Sequence, residues 1–471
     1  MTEKMGLDAL EARVQKDLAC LNWGAPDWVR PREHPDGHVY DVVIVGGGQS
    51  GLGAAFGLMR ERVRNLLVID ECPEGYEGPW DTYARMRTLR TPKHLTSIDL
   101  GVPSLTFRAW WEARLGEAAW EALDKIPRGD WMDYLRWYRK VLDLPVRNET
   151  RLVRLEPLDG LYRLHLASGA PLLARKVVLA TGIQGGGEWH VPDFVKASLP
   201  ADRYSHTADP IDYADWAGKK IAILGSGASA FDNADAAFEK GVGEVHVFAR
   251  REKLPTVNPI RFMEAEGFIP RYPMLDDASK YRVMASFFER SQPPTNDMLS
   301  RALAQPGFQL HLGAGWDRVE PTERGARVHT PKGSFDFDHL VLSTGTLTDP
   351  KLREELSDIA DAIKCWRDVE FDGPRHSVID GHCYTTNDFG LVPRDPEDAG
   401  QLRGLFAFSY AAFVSLGLSA AALSGLKHAL PRLVNGVLDQ LFADDQAAIL
   451  ERYLAYDEPE LVVTGYGETT P

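Results

Sequence analysis

The sequence YDVVIVGGGQSG at residues 40–51 is the most informative stretch of the chain. Its apolar half, residues 40–45, shows no polar alternation, which is typical of a strand buried on both faces of a parallel sheet. The glycines follow in a G-x-G-x-x-G pattern, and residues 52–60 predict a helix directly after them. Such a turn brings the backbone close to a pyrophosphate and points the helix N-terminus at it. We therefore expect dinucleotide binding here, by Gly46, Gly48, Gln49, Ser50 and Gly51.

A carboxylate stands where a dinucleotide-binding unit needs one. Residues 66–69, LLVI, predict the second strand, and Asp70 follows it, 19 residues beyond Gly51. A carboxylate at this point accepts hydrogen bonds from the ribose hydroxyls of an adenosine. Asp70 is therefore the expected ribose ligand, and Glu71, one residue past the strand end, is the less favoured one. An ordinary glycine-rich turn is the competing interpretation, but strand, helix and carboxylate together favour a dinucleotide.

A second unit of the same design begins at residue 220, where the strand KIAIL is followed by GSGASA at residues 225–230. Alanine in the third position of the motif still permits close helix packing. The next apolar run, residues 244–249, ends in Arg250 and Arg251, whose guanidinium groups suit the 2′-phosphate of NADP. We expect NADPH rather than NADH here; the alternative is a solvent-exposed basic pair. The turn residues expected to bind it are Gly225, Gly227, Ala228, Ser229 and Ala230.

Composition and charge exclude several classes of protein. The 471 residues are 44 % hydrophobic and 26 % charged, which is ordinary for a folded globular chain of two or three domains. The formal net charge of −15 disfavours nucleic acid and anionic lipid as partners. The four cysteines include no C-x-x-C pair, which disfavours a metal site, a disulfide framework and the dithiol of a disulfide reductase.

The same kind of argument gives the expected location. We expect a cytoplasmic protein, because the N-terminus lacks the apolar core of a signal peptide. Residues 404–426 carry no charge and are long enough to span a bilayer, but they are rich in Ser and Gly. We expect them to be a buried segment of the fold rather than a membrane span. Homo-oligomerisation is left open.

Two more segments point to a family. KVVLATG at residues 176–182 and HLVLSTG at residues 339–345 are apolar strands that end in a Thr-Gly turn. With two dinucleotide units, the second inserted within the first, they resemble the two-dinucleotide-domain flavoproteins, in which such turns mark the crossings between the FAD and NAD(P) domains. The run GLFAFS at residues 404–409, with the helix predicted over residues 419–442, resembles the segment that closes the FAD domain over the isoalloxazine. The resemblance covers residues 40–435 and implies FAD in the first unit and NADPH in the second. It places these residues beside the cofactors: Thr181, Gly182, Thr344, Gly345 and Ser419.

The expected fold is α/β, with two Rossmann-like dinucleotide-binding domains for FAD and NADPH, the second inserted in the first, and helical additions. We expect an N-terminal helical extension at residues 1–38 and the first part of the FAD domain at residues 39–200, with an aromatic helical insert at residues 104–146. The NADPH domain is expected at residues 201–345, with a helical insert at residues 254–306. The C-terminal part of the FAD domain and a tail are expected at residues 346–471. The aromatic insert is interpreted as core packing rather than as a pocket.

Three details resemble the class B flavin-containing monooxygenases and the Baeyer–Villiger monooxygenases. EGPW, which ends at Trp80, is similar to their G-G-x-W stretch, and the second glycine turn matches their G-x-G-x-S. His206 lies 19 residues before that turn, where these families place the histidine of an F-x-G-x-x-x-H-x-x-x-[FYW] signature. The other signature positions hold Pro200, Asp202 and Pro210, and no flavin-proximal Asn occurs in residues 87–94. The chain therefore resembles a divergent class B monooxygenase or an outlying reductase.

The resemblance implies a reaction carried mainly by the cofactors. NADPH would reduce FAD, the reduced flavin would form a peroxyflavin with O2, and one oxygen atom would pass to a small organic substrate such as an amine, a sulfide or a ketone. Candidate catalytic residues are His206, expected to orient the NADPH domain, and Arg90 and His94, expected to stabilise negative charge at the flavin. Backbone amides and the helix that starts near Ser419, through its N-terminal dipole, are expected to act on the flavin in the same way. The alternatives are an NADPH-dependent reductase or oxidase without oxygen insertion, and a redox-sensing flavoprotein with little turnover.

Overall fold

The computed structural model describes residues 6–95, 97–265, 267–420 and 422–461. The strands are β1 (Glu33–His34), β2 (Gly37–Val45), β3 (Leu66–Ile69), β4 (Val146–Arg147), β5 (Leu152–Leu158), β6 (Leu161–Leu166), β7 (Leu172–Leu179), β8 (Gly187–Trp189), β9 (Tyr204–His206), β10 (Lys220–Leu224), β11 (Glu244–Phe248), β12 (Phe308–His311), β13 (Arg318–Pro321), β14 (Ala326–Thr330), β15 (Gly333–Phe337), β16 (His339–Leu342), β17 (Thr346–Thr348) and β18 (Leu405–Phe406). The helices are α1 (Leu7–Cys20), α2 (Gln49–Arg60), α3 (Phe107–Leu115), α4 (Glu117–Ala122), α5 (Arg128–Val141), α6 (Asp193–Ser198), α7 (Ala228–Glu239), α8 (Pro259–Glu264), α9 (Phe268–Arg271), α10 (Asp277–Arg290), α11 (Asn296–Leu303), α12 (Ser377–Asp380), α13 (Ala399–Leu402), α14 (Phe413–Leu416), α15 (Leu423–Asp444) and α16 (Gln446–Leu454).

The first sheet is built from both ends of the chain. Its strands lie in the order β4-β3-β2-β7-β6-β5, and β18 pairs with β7 as well. β2 is parallel to β3 and to β7, so Val43 lies between Leu67 and Val177. Residues 42–44 of β2 are fully buried, as their unbroken β-branched run predicts. β18 pairs with β7 in parallel, so the chain leaves this sheet after Leu179 and returns to it at Leu405.

The chain between Leu179 and Leu405 contains the second sheet. Its strands lie in the order β12-β11-β10-β16-β9, and all of the pairs are parallel. A small antiparallel sheet, β13-β14-β15, lies within the connection from β12 to β16. The first sheet has a parallel core, β4-β3-β2-β7, beside the antiparallel strands β5 and β6, and the second sheet is parallel throughout. These two sheets, with the second inserted in the first, confirm the predicted α/β class and its two dinucleotide-binding units.

The chain passes between the two sheets twice, and the two passages are paired. β8 follows β7, β17 follows β16, and these two strands form an antiparallel pair with Trp189 opposite Thr346. The N–H of His190 also donates to the carbonyl oxygen of Gly345 at 2.9 Å. The two Thr-Gly turns that the sequence singles out come just before these strands.

The aromatic stretch folds as α3, α4 and α5 and is core, as predicted. The ring centroid of Phe107 lies 5.7 Å from that of Trp131 and 5.4 Å from that of Tyr134, and all three residues are buried. The Trp131 indole N–H donates to the side-chain oxygen of Gln49 at 3.1 Å. This bond joins the aromatic core to Gln49, which lies within the glycine motif and begins α2.

Helix α15 packs closely against α2 because α2 carries glycines at the contact. A Cβ atom on Gly53 would lie 2.7 Å from Cδ1 of Leu430, and one on Gly57 would lie 2.6 Å from Cγ2 of Val434. Both distances are far shorter than a carbon–carbon contact, so the two helices approach more closely than larger side chains would permit. The packing fixes the start of α15 beside the start of α2.

The start of α15 differs from the prediction. The periodicity predicts a helix from Ser419, but the helix begins at Leu423. Gly417 has a φ of +68°, and a Cβ atom on Gly425 would lie 2.2 Å from the carbonyl oxygen of Leu418. The chain before the helix therefore folds back onto its first turn, a contact that periodicity does not reveal.

The uncharged stretch at residues 404–426 is divided between β18, the short helix α14 and the start of α15. Nearly all of its described residues are buried. Among the helices in the described part of the chain, none has both the length and the apolar composition needed to cross a bilayer.

Candidate active site

The first glycine turn has two kinds of glycine. Gly46 has a φ of +108°, and a Cβ atom there would lie 2.4 Å from the carbonyl oxygen of Ala180. A Cβ atom on Gly51 would lie 1.8 Å from the carbonyl oxygen of Gly46, so both glycines are needed to build the turn. At Gly48 the nearest atom to a Cβ would be Cα of Gly78, at 3.8 Å. The backbone of Gly48, at the N-terminus of α2, is therefore open to a ligand.

Asp70 holds the first turn in place at the end of β3. Its two carboxylate oxygens accept from the N–H groups of Gly47, at 2.7 Å, and Cys72, at 2.8 Å. Burial raises the pKa of Asp70 above its usual value, although these two hydrogen bonds oppose the shift. Glu71 instead points to solvent, 3.8 Å from a guanidinium nitrogen of Arg151. This arrangement supports the choice of Asp70 over Glu71 as the ribose ligand.

The EGPW stretch supplies a buried carboxylate next to this turn. Glu77 stands where the related families have glycine, and it accepts from Arg139 and from the side chain of Asn148, both at 2.7 Å. A small cavity beside it is lined by residues of the first turn and of α5, Gly47 and Met132 among them. Arg139 on α5 compensates the charge of Glu77. The fold can therefore hold a buried glutamate at the position where the related families have glycine.

Trp80 ends the same stretch and has an unused donor. The residue is 8 % exposed, and its indole N–H has no hydrogen-bond partner within the described ranges. Buried donors are rarely left unpaired in folded proteins. The open backbone at Gly48, the carboxylate of Asp70 and the free N–H of Trp80 together fit a bound FAD.

The second glycine turn repeats the first in detail. Gly225 has a φ of +123°, and a Cβ atom there would lie 2.3 Å from the carbonyl oxygen of Ser343. At Gly227 a Cβ atom would meet nothing within 4 Å. The N–H of Gly225 donates to Phe248, just as that of Gly46 donates to Ile69. Ala228 and Ala230 are buried in the first turn of α7, and Ser229 lies between them.

Arg250 and Arg251 are exposed at the carboxyl end of β11. Leu224, the last residue of β10, pairs with Phe248, so the two arginines lie on the same sheet edge as the second glycine turn. One guanidinium nitrogen of Arg251 donates to the carbonyl oxygen of Glu289 at 2.7 Å. Arg250 makes no hydrogen bond or ion pair with the part of the chain that the structure describes. Arg250 is therefore the freer of the two to bind a phosphate.

The two Thr-Gly turns support the passages between the sheets. The Thr344 hydroxyl donates to the carbonyl oxygen of His190, and the carbonyl oxygen of Gly182 accepts from the N–H of Tyr410 at 3.0 Å. A Cβ atom on Gly185 would lie 1.9 Å from Oγ1 of Thr181. Gly182 and Gly345 both have positive φ. These contacts give the turns a structural role, and their contact with cofactors stays a prediction.

His206 is buried at the end of β9, opposite Leu342 of β16. Its ring stacks on that of Trp189 with centroids 5.2 Å apart, and its Nδ1 accepts from the N–H of Ala208 at 3.1 Å. Burial lowers the pKa of His206 to about 4. His206 is therefore neutral at neutral pH, and its Nε2 has no partner in the described ranges. It adjoins the passage between the sheets, and its expected role in orienting the second unit stays a prediction.

Arg90 has a different partner from the one expected. Its guanidinium group forms an ion pair with Asp232 of α7, the helix that follows the second glycine turn. Asp232 is 5 % exposed, and its burial raises its pKa to about 6 although Arg90 opposes the shift. The structure thus places Arg90 between the two units, while its proposed action on the flavin stays a prediction.

Two more arginines make the same connection and were missed by sequence reasoning. Arg87 donates to Asp235 of α7 at 2.8 Å. Arg85 donates to carbonyl oxygens of residues 207, 209 and 211, at 2.9–3.1 Å. The signal was present in the sequence as three arginines within residues 85–90 and two aspartates three residues apart on α7. Nothing in a single sequence pairs segments about 140 residues apart.

His94 lines the large cavity of the molecule, which has a volume of about 770 Å³. The cavity lies between residues 93–95 and 97–101, the aromatic insert, α8 with α9, and the start of α15. Its wall carries six basic residues, Arg60, Lys93, His94, Arg108, Lys427 and His428. Asp99 and Glu264 are its acidic residues. The cavity is therefore basic in a chain whose net charge is negative.

The structure brings the predicted residues together in part. Asp70 contacts the first glycine turn, and the stretch that ends at Trp80 adjoins that turn through Gly78. The second turn and the arginine pair lie at one edge of the second sheet. Ser419 is buried four residues before α15, in the segment that folds over the start of that helix. His94 lines the large cavity together with residues of α15 that the sequence did not single out, and the wall of this cavity includes no residue of either glycine turn.

The comparisons with known proteins agree with this architecture. A family model described as FAD-NAD(P)-binding matches residues 43–184. The FAD-dependent urate hydroxylase of Xanthomonas campestris pv. campestris is 61 % identical over 462 residues, which cover 97 % of this chain and 98 % of that protein.

Solved structures show the same fold at low identity. The reduced form of the ornithine hydroxylase PvdA from Pseudomonas aeruginosa superposes with a TM-score of 0.68 at 19 % identity, covering 86 % of this chain and 100 % of that one. The ornithine N-hydroxylase KtzI from Kutzneria sp. 744, solved with reduced FAD, NADP⁺ and L-ornithine, gives a TM-score of 0.68 at 15 % identity, covering 85 % of this chain and 99 % of that one.

Proposed function

This chain belongs to the family of FAD-dependent monooxygenases that includes the urate hydroxylase of Xanthomonas campestris, and from that membership we propose that its own substrate is urate. The sequence identity with that hydroxylase carries the proposal, because it extends over nearly the whole of both chains. The proposed reaction uses NADPH and O2 and yields hydroxylated urate, NADP⁺ and water. This differs from the amine, sulfide and ketone substrates that the sequence suggested.

The residues present divide the work in a consistent way. FAD, when bound, supplies the chemistry that activates O2. The first glycine turn and Asp70 would hold its pyrophosphate and ribose, and Trp80 would donate its free N–H to it. The basic cavity would hold the substrate, because urate is a flat, aromatic anion at neutral pH. Enclosure by the aromatic insert and α15 would keep water away from the reacting atoms.

The function is tested with purified holoprotein, NADPH, O2 and urate. We expect urate to stimulate NADPH oxidation and each NADPH oxidised to give one molecule of a product that is one oxygen atom heavier than urate. Ornithine, a thioether and a ketone serve as comparison substrates and should give little product. The proposal fails if all NADPH electrons appear as hydrogen peroxide while urate is unchanged. That outcome would favour the reductase or oxidase alternative.

The second unit is proposed to bind NADPH through Arg250. Charge-assisted hydrogen bonds to a phosphate are strong, so Arg250→Ala should raise the KM for NADPH about 10- to 100-fold and leave that for NADH nearly unchanged. Arg251→Ala should have a smaller effect, because Arg251 already donates to Glu289. Arg324→Ala, an exposed arginine on the β13–β14 connection, is the matched control. Equal effects of Arg250→Ala on the two nucleotides would remove it from the phosphate site.

A further inference from the structure

The first turn of α15 faces the large cavity without a cap or an acidic residue. Ser424 in this turn and Lys427 and His428 in the next turn line the cavity wall. Within the first turn, the N–H of Gly425 donates to the carbonyl oxygen of Ala422 at 2.9 Å. Ala422, at the N-cap position, provides no side-chain hydrogen bond, and the first turn contains no Asp or Glu. The first backbone N–H groups of a helix need acceptors, and the helix dipole favours a negative charge beside them.

Ser424 gives independent evidence for a ligand at this turn. The residue is only 6 % exposed, and its Oγ has no hydrogen-bond partner among the described residues. A buried hydroxyl without a partner is disfavoured, and in native proteins such groups usually contact water, an ion or a ligand. Because Ser424 lines the cavity, a ligand in the cavity can supply the missing partner.

The charges on the cavity wall point to an anion. Lys427 and His428 form no ion pair with the residues that the structure covers. Of the two acidic residues on the wall, Glu264 is paired with Arg261 at 2.7 Å. Asp99 accepts from the hydroxyl of Ser97 at 2.8 Å and the N–H of Gly101 at 2.9 Å. The two carboxylates are thus occupied, while the ammonium group of Lys427 is available. Burial and the neighbouring cations lower the pKa of His428, so its ring is neutral at neutral pH.

The rest of the wall suits a flat ring. Phe107, Trp120, Ile269 and Leu430 present aromatic and aliphatic side chains to the same cavity. Aromatic rings pack favourably against flat faces and leave the edges of a ligand to the polar groups. A ligand that is both planar and negatively charged would satisfy the apolar walls and the first turn of α15 together.

We propose that Ser424, Lys427 and the N-terminus of α15 bind the anionic edge of a planar nitrogen heterocycle, and that this contact selects the substrate. The inference rests on the proposed function, since urate is such an anion. Two anionic rings could meet this turn, the substrate and the reduced flavin. We assign Ser424 and Lys427 to the substrate, because both line the large cavity, whose wall includes no residue of either glycine turn.

The test measures urate binding and flavin binding separately in the holoprotein. Binding of urate to oxidised enzyme is followed by the flavin difference spectrum without NADPH, and FAD occupancy by absorbance. Ser424→Ala and Lys427→Gln should each raise the Kd for urate about 10- to 100-fold, the effect of losing a hydrogen bond to a charged group. FAD occupancy and the rate of flavin reduction by NADPH should stay at the wild-type level. Lys16→Gln, on an exposed face of α1, is the matched control.

The outcomes separate this inference from the function on which it rests. Unchanged urate affinity in both variants would overturn the inference alone, provided that the wild type binds and hydroxylates urate. Loss of FAD or slower flavin reduction with unchanged urate affinity would assign the turn to the flavin instead. A wild-type protein that neither binds nor hydroxylates urate would overturn the proposed function itself. Neutral hypoxanthine serves as the uncharged probe and should bind weakly to the wild type and the two variants alike.

Discussion

Gly51 and Gly48, in the same turn, are glycines for different structural reasons. At Gly51 an added Cβ atom would collide with the carbonyl oxygen of Gly46, so the protein itself requires glycine there. At Gly48 there is room within the protein, and its backbone, with φ −73° and ψ −173°, lies in a region open to any residue. Glycine at position 48 is therefore explained by the ligand rather than by the fold.

This difference gives a clean prediction for Gly48→Val. The valine should block the approach of the FAD pyrophosphate, so the purified variant should be colourless at a stability close to that of the wild-type apoprotein. Flavin absorbance and urea unfolding are the two measurements. Gly129→Val, at an exposed position with no atom near the added Cβ, should stay yellow. Full flavin occupancy in Gly48→Val would show that the pyrophosphate lies elsewhere.

The buried imidazole of His206 predicts a specific acid sensitivity. The pKa of His206 in the folded protein, about 4, lies below the ordinary value of 6.5. Between these two pH values the unfolded chain therefore binds a proton at His206 and the native protein does not. The contribution of neutral His206 to the free energy of unfolding is fully present above pH 6.5. It is lost as the pH falls towards 4, and the total loss is about 3 kcal/mol. His206→Asn removes this dependence, so the stability difference from the wild type should shrink over that range. Urea unfolding at several pH values measures it.

His382 supplies the control for this experiment. Its pKa is also lowered to about 4 by burial, but it lies in the segment after α12, where Nδ1 bonds to the carbonyl oxygen of Val378. Like His206→Asn, His382→Asn should reduce the loss of stability between pH 6.5 and 4, whereas only His206→Asn should slow flavin reduction by NADPH. Parallel loss of stability in the wild type and His206→Asn between pH 6.5 and 4 would contradict a neutral His206.

At the scale of the element, the contact between α2 and α15 depends on the absence of side chains. Gly57→Val would place methyl groups against Val434, whose Cγ2 already lies 2.6 Å from the position of a Cβ. Overpacking of this kind should lower the free energy of unfolding by about 1–3 kcal/mol. The double variant with Val434→Ala should regain part of that loss, so the two changes should be non-additive. Gly400→Val, where the added Cβ meets nothing within 4 Å, should be nearly neutral. Additivity of the two changes would argue against the close helix packing.

The elements that the sequence predicted well are those whose pattern is local. The buried strand at residues 40–45, both glycine turns and the carboxylate at position 70 follow from neighbours within one βαβ unit. The start of α15 does not follow from neighbouring residues. It depends on the contact of Gly425 with Leu418 and on the glycines of α2, which lie more than 370 residues earlier in the chain. The pairing of Arg90 with Asp232 on α7 was not predicted for the same reason, since the two residues are 142 positions apart.

At the scale of the whole molecule, residues 85–90 hold the two dinucleotide-binding units against each other. Arg90→Met should leave Asp232 buried without its cation and lower the free energy of unfolding at pH 7 by about 1–3 kcal/mol, since Arg90 itself is partly exposed. The loss should be smaller at pH 5, because Asp232, with a pKa already near 6, takes up a proton there. Arg90→Met combined with Asp232→Asn leaves no charge unpaired and should recover most of the stability. An equal loss at both pH values would show that the ion pair is not the cause.

The pairing of β8 with β17 brings the two ends of the inserted segment together, although Ile269 and Tyr272 of that segment pack in one core with Trp366 and Phe413. Trp189 and Thr346 face each other across an antiparallel pair, so their Cα atoms are separated by about the span of a tight hairpin. A short turn could therefore replace residues 190–345 without changing the direction of either strand. A gene with that one deletion would encode a shortened flavoprotein. We expect the shortened chain to bind FAD and to lose reduction by NADPH. A chain that cannot retain the flavin would mean that the inserted unit also completes the FAD-binding fold.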